Sequence, residues 1–324
     1  MSLSLEDVGT VFEELGDLEK NFAEVELDAL RRKEFSLKPL YAKRKSLLDK
    51  IPDFWATVFG NSPEEVQQFF SAGDLALVSC IKSFTVERYQ IESETKGEPR
   101  SLRFTFDFAE NEFMEDKQLV KEFEYKARED GPGSLISKPV PIKWKSNKKD
   151  LTKGLLDAAV DLYAAEEAIK LKSVEIVDRE ALWQHEKLRD KLVNLDENDE
   201  DQPSFFNFFG FRGAIDLPAP KKEGENGAGD DAEDSDEDVE GMLEVEVFPP
   251  GEEVAIALAE EVWSDAMDYF MSAQDDFPNG EDLDMEDDED DEDDEDDEDD
   301  EDDEDVPELV PAEDARPSKR QRKD

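Results

Sequence analysis

Apart from its carboxylates, this sequence contains few side chains that could do chemistry. His185 is the only histidine and Cys80 the only cysteine among 324 residues. A catalytic triad or a zinc site with several histidines or cysteines therefore lacks its residues. Cys80 lies in an apolar run at 75–81, and no cationic residue in that run would favour a thiolate, so we predict a buried core residue.

The carboxylates are numerous but show no catalytic spacing. Paired-carboxylate catalysis needs two fixed groups with separated pKa values, and the sequence does not reveal such a pair. The acid run at 286–305 lacks the glycine turn and the spaced ligands of a calcium loop. No glycine-rich phosphate loop follows a predicted strand. We therefore predict no enzyme, no metal and no cofactor.

Charge is distributed very unevenly along the chain. Residues 1–195 hold 38 acids and 30 bases, whereas residues 196–324 hold 53 acids and 8 bases. The first part can fold normally, and the acidic segments of the second should stay disordered. A net charge of −53 repels phosphate, so we expect a cationic partner and no direct nucleic-acid binding. No apolar run is long enough to span a bilayer, which argues against a membrane.

A long helix is the first element needed to position any binding surface. Its apolar residues recur in steps of three and four, as in a heptad seam: Val8, Val11, Leu15, Leu18, Phe22, Val25 and Ala29. The helix is predicted over about residues 5–50. A helix of this length must bury its apolar stripe against another long helix, and we predict a homodimeric coiled coil. An intramolecular helical hairpin is the alternative. Pro39 predicts a bend or break.

Further along, the pattern predicts an α+β fold with an antiparallel sheet of about four strands. Alternating residues mark strands near 84–91, 102–108, 123–127 and 140–144. Ser62 and Pro63 predict the start of a short helix that stops at Gly73. Helical spacing returns at 151–195, where we expect helices that cover the sheet, and again at 254–271.

Several strings together resemble the nucleosome assembly protein family of histone chaperones, especially its SET branch. They are Pro39-Leu40-Tyr41-Ala42-Lys43-Arg44, Ile51-Pro52-Asp53-Phe54-Trp55, Asn61-Ser62-Pro63, Phe123-Glu124-Tyr125, Ile142-Lys143-Trp144-Lys145 and Ser204-Phe205-Phe206-Asn207-Phe208-Phe209. The resemblance covers about residues 5–275. It implies a headphone-shaped dimer whose paired helices carry two earmuff domains, ATP-independent binding of core histones, and core positions for the four phenylalanines at 205–209.

On this basis we predict a dimerisation helix at 1–50, an earmuff domain at 51–275 with a disordered acidic insert at 219–240, and a disordered acidic tail at 276–324. The expected function is that of a histone chaperone that shields histone charge during nucleosome assembly and disassembly. The alternative is an acidic regulatory subunit or inhibitor of a chromatin-modifying enzyme or phosphatase. Candidate histone contacts are Asp196, Glu197, Asp199, Glu200, Asp201, Glu260, Glu261, Asp265, Glu286, Asp287 and Asp288.

A basic cluster near the C-terminus predicts nuclear import. The residues concerned are Lys319, Arg320, Arg322 and Lys323, which lie beyond the acid run. We therefore expect a nuclear protein that can shuttle with the cytoplasm, with an import receptor as a partner. A histone acetyltransferase is a further candidate partner.

Overall fold

The computed structural model describes residues 5–128, 131–170, 181–198, 203–213 and 245–275. Its first element is one long helix, α1 (Leu5–Leu48), which continues through Pro39. The predicted break at this proline is therefore wrong. The helix buries Leu48 at its C-terminal end and leaves the apolar stripe of its N-terminal half largely exposed. Only the second half of α1 is thus packed against its own chain.

Three short helices follow: α2 (Phe54–Gly60), α3 (Glu64–Gln67) and α4 (Asp74–Val78). Pro63, and not Ser62, stands at the N-cap of α3. The Ser62 hydroxyl instead donates to the Phe59 carbonyl at 2.9 Å. The prediction of a serine cap was wrong because this hydroxyl turns back to the preceding helix. The helix also ends at Gln67, before the predicted stop at Gly73.

The sheet has the antiparallel topology that the sequence predicts. The described residues form the strands β1 (Ile81–Glu87), β2 (Ile91–Ser93), β3 (Lys96–Gly97), β4 (Leu102–Phe108), β5 (Gln118–Arg128) and β6 (Gly131–Ser137). β2 and β3 form a small hairpin, and the other four strands form one sheet in the order β1-β4-β5-β6. Alternate residues of β4 are buried, which confirms one apolar face and one solvated face.

The fourth strand lies at a different place from the one predicted. It is β6, whereas residues 140–144 contribute only an isolated bridge between Met114 and Trp144. Pro139 and Pro141 flank Val140 and offer no N–H for a ladder. The Val140 N–H donates to the Phe209 carbonyl at 2.8 Å instead. Residues 140–144 therefore lie beside the phenylalanine-rich segment and do not extend the sheet.

The phenylalanine segment, residues 204–211, lies directly against the sheet. Phe205, Phe206, Phe208 and Phe209 are at most 1% exposed, which confirms them as core residues. The Phe208 ring lies 6.0 Å from that of Phe104 and 5.4 Å from that of Phe123. The prediction that the 151–195 helices cover the sheet needs correction in one respect: the phenylalanine segment and helix α2 lie directly on the apolar face, since the Phe59 ring of α2 is 5.1 Å from Phe84 and 6.0 Å from Phe106.

Two helices lie behind this segment, α5 (Leu155–Lys170) and α6 (Trp183–Asn198). A Cβ atom at Gly210 would lie 2.5 Å from the Val247 side chain and 3.3 Å from Leu156 of α5, so the glycine permits close approach. Leu188 of α6 is fully buried, but Trp183 of the same helix is 62% exposed. Its ring lies under the Lys187 ammonium at 5.3 Å.

The C-terminal part of the described chain consists of α7 (Gly251–Ala257), a π-helical turn (Leu258–Val262) and α8 (Ala266–Asp275). The helix predicted over 254–271 is thus divided. The Trp263 N–H bonds the Leu258 carbonyl at 3.0 Å, five residues back. The extra residue in this turn directs Trp263 into the core, where it stacks on Trp55 at 5.7 Å between ring centroids.

Candidate functional site

Four carboxylates act electrostatically on Tyr269 of the C-terminal helices. Glu261 and Asp265 lie before α8 and Asp268 lies in its first turn, while Glu65 comes from α3. We call these four residues the acidic cluster. The pKa of the Tyr269 hydroxyl is raised, first by burial and then by the negative charge of all four carboxylates. The folded surface therefore carries several neighbouring acidic residues at this point.

The acidic cluster contains only some of the predicted contact acids. Glu261 and Asp265 belong to it, whereas Glu260 lies beside Arg88, 3.4 Å from its guanidinium. The π-helical turn carries both glutamates, and the electrostatic neighbours of Glu260 differ from those of Glu261. Sequence reasoning missed Asp268, although the spacing 261, 265, 268 is that of one helix face. Glu65 gave no signal, because its place depends on the packing of α3.

The remaining predicted acids cannot be placed in the same way. Asp196 and Glu197 end helix α6, and their side chains lie outside the described residues. The other predicted acids and the basic cluster also lie outside them; these are Asp199, Glu200, Asp201, Glu286, Asp287, Asp288, Lys319, Arg320, Arg322 and Lys323. The acidic insert at 219–240 lies outside them too.

A second group of acids lies near the start of α5. The pKa of the Asp157 carboxyl is raised by burial and by the charges of Asp150 and Asp161. Lys187 of α6 lies 3.2 Å from Asp161 and partly offsets this charge. Arg44 interacts in the same way with Asp265 of the acidic cluster, so each of the two groups has a base beside it.

The solvated face of the sheet carries paired charges, both between neighbouring strands and along one strand. Arg103 of β4 lies between Glu122 of β5, at 2.7 Å, and Glu87 of β1, at 3.5 Å. Lys126 pairs with Glu124 at 2.7 Å. Because acids and bases alternate here, this face is polar without a strong net sign.

One buried base holds the sheet to the phenylalanine segment. Lys121 of β5 is fully buried, and its ammonium donates to the carbonyls of Lys138, Phe209 and Phe211 at 2.7–3.0 Å. Burial lowers the pKa of Lys121 well below its ordinary value. All three donors are used, so the role of this lysine is to position the segment that forms the core.

The residues considered for catalysis lie in unremarkable surroundings. His185 is buried within α6, and Cys80 packs against the core while remaining partly exposed, so the prediction of a fully buried cysteine was too strong. Among the described residues, no group of three or more histidines, cysteines and carboxylates could hold a metal ion. None of the helices in the described part of the chain is long and apolar enough to cross a membrane.

The comparisons with known proteins agree with this architecture. The model of the nucleosome assembly protein family, NAP, matches residues 13–273. Protein SET of Drosophila melanogaster is 31% identical over 150 residues, which cover 45% of this chain and 53% of that protein. NAP1-related protein 2 of Arabidopsis thaliana is 28% identical over 146 residues, which cover 45% and 53% respectively. The matched region thus spans about half the length of these relatives.

Solved structures share the fold. Vps75 matches with a TM-score of 0.52 and 21% identity over 82% of this chain and 99% of that chain. Ccp1 matches with a TM-score of 0.50 and 23% identity over 82% and 97%. A long helix attached to a helix-covered antiparallel sheet thus defines an acidic α+β protein of the earmuff type. With the family model covering most of its length, the chain belongs to the nucleosome assembly protein family.

Proposed function

We propose that this protein is a histone chaperone that binds core histones through acidic surfaces and promotes ATP-independent nucleosome assembly and disassembly. The observation that carries the proposal is the acidic cluster around Tyr269, on a protein of the nucleosome assembly family with a net charge of −53. Histones are strongly basic and aggregate with DNA when unshielded. A soluble anion that covers them suppresses wrong contacts and yields them to DNA, whose charge density is higher.

The folded surface and the acid-rich sequence have different tasks in this proposal. The acidic cluster has a fixed geometry and supplies selectivity. The tail at 276–324 supplies local concentration and a fast association rate, because it is tethered to the same protein. Asp196, Glu197, Asp199, Glu200, Asp201, Glu286, Asp287 and Asp288 stay candidate contacts in this scheme, as does Glu260. Asp268 and Glu65 are added to it from the structure.

The dimer is part of the proposal. Val11, Leu15, Leu18, Phe22 and Val25 are all at least 45% exposed in the single chain. Such a long uncovered apolar stripe supports the proposed pairing of α1 with its copy. We propose residues 1–50 as the dimerisation helix and 51–275 as the earmuff domain. Nuclear import through Lys319, Arg320, Arg322 and Lys323 completes the proposal.

The test is direct binding of the full chain to each core histone pair, measured by fluorescence titration at several salt concentrations. We expect submicromolar binding that weakens as salt rises, since the contacts are electrostatic. Binding to a single chromatin-modifying enzyme or phosphatase, without binding to histones, would favour the regulatory-subunit alternative instead.

The acidic cluster is tested by the triple variant Glu261→Gln, Asp265→Asn, Asp268→Asn. It should weaken histone binding about tenfold, if each charge contributes about 0.5 kcal/mol at an exposed site. The matched control is Glu94→Gln, Glu110→Gln, Glu115→Gln, which removes the same charge from exposed positions elsewhere. Equal weakening by both triples would mean that only total charge matters and that the cluster is not a site.

A further inference from the structure

A cavity of about 700 Å³ lies between α1, the outer edge of β1 and the π-helical turn. We call it the edge groove. Its apolar lining includes Phe35 and Tyr41 of α1, Val86 of β1, and Trp263. Phe35 is 37% exposed, so part of this surface is open to solvent. The volume is within the range of peptide and ligand sites.

The groove follows the backbone of an edge strand. β1 is the outermost strand of the sheet and pairs with β4 on one side only. Thr85, Val86 and Glu87 are consecutive residues whose side chains point to opposite faces, yet all three line the groove, together with Arg88. The groove therefore runs along the edge where an added strand would pair.

Two arginines of α1 hold the helix in place at the two ends of this region. The Arg31 Nε donates to the Gly97 carbonyl of the small hairpin at 2.8 Å. Arg44 donates to the Trp263 carbonyl at 2.6 Å and lies 4.1 Å from the centre of its ring. The thirteen helical steps from Arg31 to Arg44 span about 20 Å, which equals about six residues of extended strand.

The lining of the groove carries a small excess of positive charge. Its bases are Lys33, Lys38, Lys45 and Arg88, and its acids are Glu34, Glu87 and Glu260. Arg88 is shared by Glu34, at 3.8 Å, and Glu260, at 3.4 Å. Lys33 and Lys38 line the groove and form no ion pair within the described part of the chain. On a protein of net charge −53, this local sign is opposite to that of the molecule.

We propose that the edge groove binds an extended acidic and apolar segment of a partner protein, which adds to β1 as a further strand. Backbone pairing with the sheet edge provides affinity, and alternate side chains meet the aromatic lining and the two lysines. Because a basic histone segment would meet Lys33 and Lys38 with like charge, the occupant is not a histone. The site thus extends the proposed function with a second class of partner.

The experiment uses the full chain and a fluorescein-labelled decapeptide of alternating glutamate and valine, with binding followed by fluorescence anisotropy. The variant Lys33→Glu, Lys38→Glu should weaken binding about tenfold, because two attractions become repulsions. The control Lys43→Glu, Lys50→Glu changes two exposed lysines that do not line the groove and should leave binding within about twofold. All four lysines are exposed, so folding is preserved.

Two further peptides test the mode of binding. A decapeptide with N-methylated valines cannot pair with the sheet edge on that side, and one of alternating lysine and valine has the wrong charge; neither should bind. Equal binding of the N-methylated peptide, or equal binding by the Lys33→Glu, Lys38→Glu variant, would overturn the proposal. Binding that appears only after deletion of residues 281–324 would also overturn it, as would binding that declines as protein concentration rises, because the occupant would then be the chain's own acidic segment or a second copy.

Discussion

The carboxylate of Asp74 accepts a hydrogen bond from the Ser204 hydroxyl, although the two residues are 130 positions apart. The same carboxylate accepts from the backbone N–H of Phe205 and of Ser71, each at 2.8 Å. The first residue of α4 thus fixes the start of the phenylalanine segment. Asp74 is fully buried, so its bonds are shielded from water.

Replacing this carboxylate should destabilise the fold. We expect Asp74→Ala to lower the free energy of unfolding by about 2–4 kcal/mol, since it leaves the buried Ser204 hydroxyl, the buried Phe205 N–H and the partly buried Ser71 N–H without their acceptor. Urea unfolding measures this loss. Asp49→Ala, at an exposed carboxylate of the same type, is the control and should change stability by less than about 0.5 kcal/mol. A loss no greater than that of the control would mean that the segment is fixed by packing alone.

Lys121 should give the protein a specific pH dependence. Its folded pKa is lowered by burial, so the unfolded chain binds the proton more tightly. This group therefore makes the free energy of unfolding rise as the pH rises from the lowered pKa toward the ordinary value of 10.5. Urea unfolding of the wild type and of Lys121→Met between neutral pH and pH 10 isolates the effect, because other titrating groups cancel in the difference. A constant difference across this range would contradict the prediction.

The apolar stripe of α1 should hold a dimer together. Each large side chain that is buried there contributes about 1.5–3 kcal/mol, so Leu15→Asp with Leu18→Asp should dissociate the dimer or unfold the helix. Analytical ultracentrifugation at micromolar concentration measures the mass. Leu75→Asp with Ile256→Asp places the same charges at exposed apolar positions outside the stripe and should leave the mass unchanged. A monomeric mass for the wild type would contradict the prediction.

The tail should affect how fast histones associate more than whether they bind. Deleting residues 281–324 removes 27 acids and 5 bases and changes the net charge from −53 to −31. We expect slower association and a weaker salt dependence, with binding to the earmuff retained. Stopped-flow fluorescence at several salt concentrations measures both. If the truncated chain binds no histone, the tail is the entire site.

The basic cluster should direct the protein to the nucleus. Changing Lys319, Arg320, Arg322 and Lys323 to Ala should shift the protein toward the cytoplasm and leave the dimer and histone binding nearly unchanged. Microscopy of the tagged protein measures the distribution. Arg100→Ala with Lys96→Ala, two bases of the folded domain, is a suitable control. A fully nuclear quadruple variant would place the import signal elsewhere.

The elements with one clear period could be predicted from the sequence. The alternation at 102–108 gave β4, and the long run of three- and four-residue steps gave α1. The prolines around Val140 misled the strand prediction, because alternation persisted there while the N–H groups needed for a ladder were missing. The core role of the phenylalanine segment followed from the family resemblance, but its contact with the sheet depends on Lys121 and Asp74, which are distant in sequence.

The candidate site could be predicted from the sequence only where its acids follow helical spacing. Glu261 and Asp265 stood out as acids beside a helix, and Asp268 follows them at helical spacing. Glu65 joins them only because α3 packs nearby, and the π-helical turn separates Glu260 from them through one additional residue. Neither tertiary packing nor a single wide turn leaves a periodic mark in the sequence.

The two arginine anchors of α1 also have a mechanical consequence. Arg31 and Arg44 fix the helix to the domain. The part of α1 before Arg31 is therefore held at one end only, over about 38 Å. A rotation of about 5° at the anchors would displace the free end by about 3 Å over that length. An occupant wedged between the helix and β1 would act close to the pivot. In a pair of such chains joined through the N-terminal parts of α1, binding in the edge groove would change the distance between the two domains.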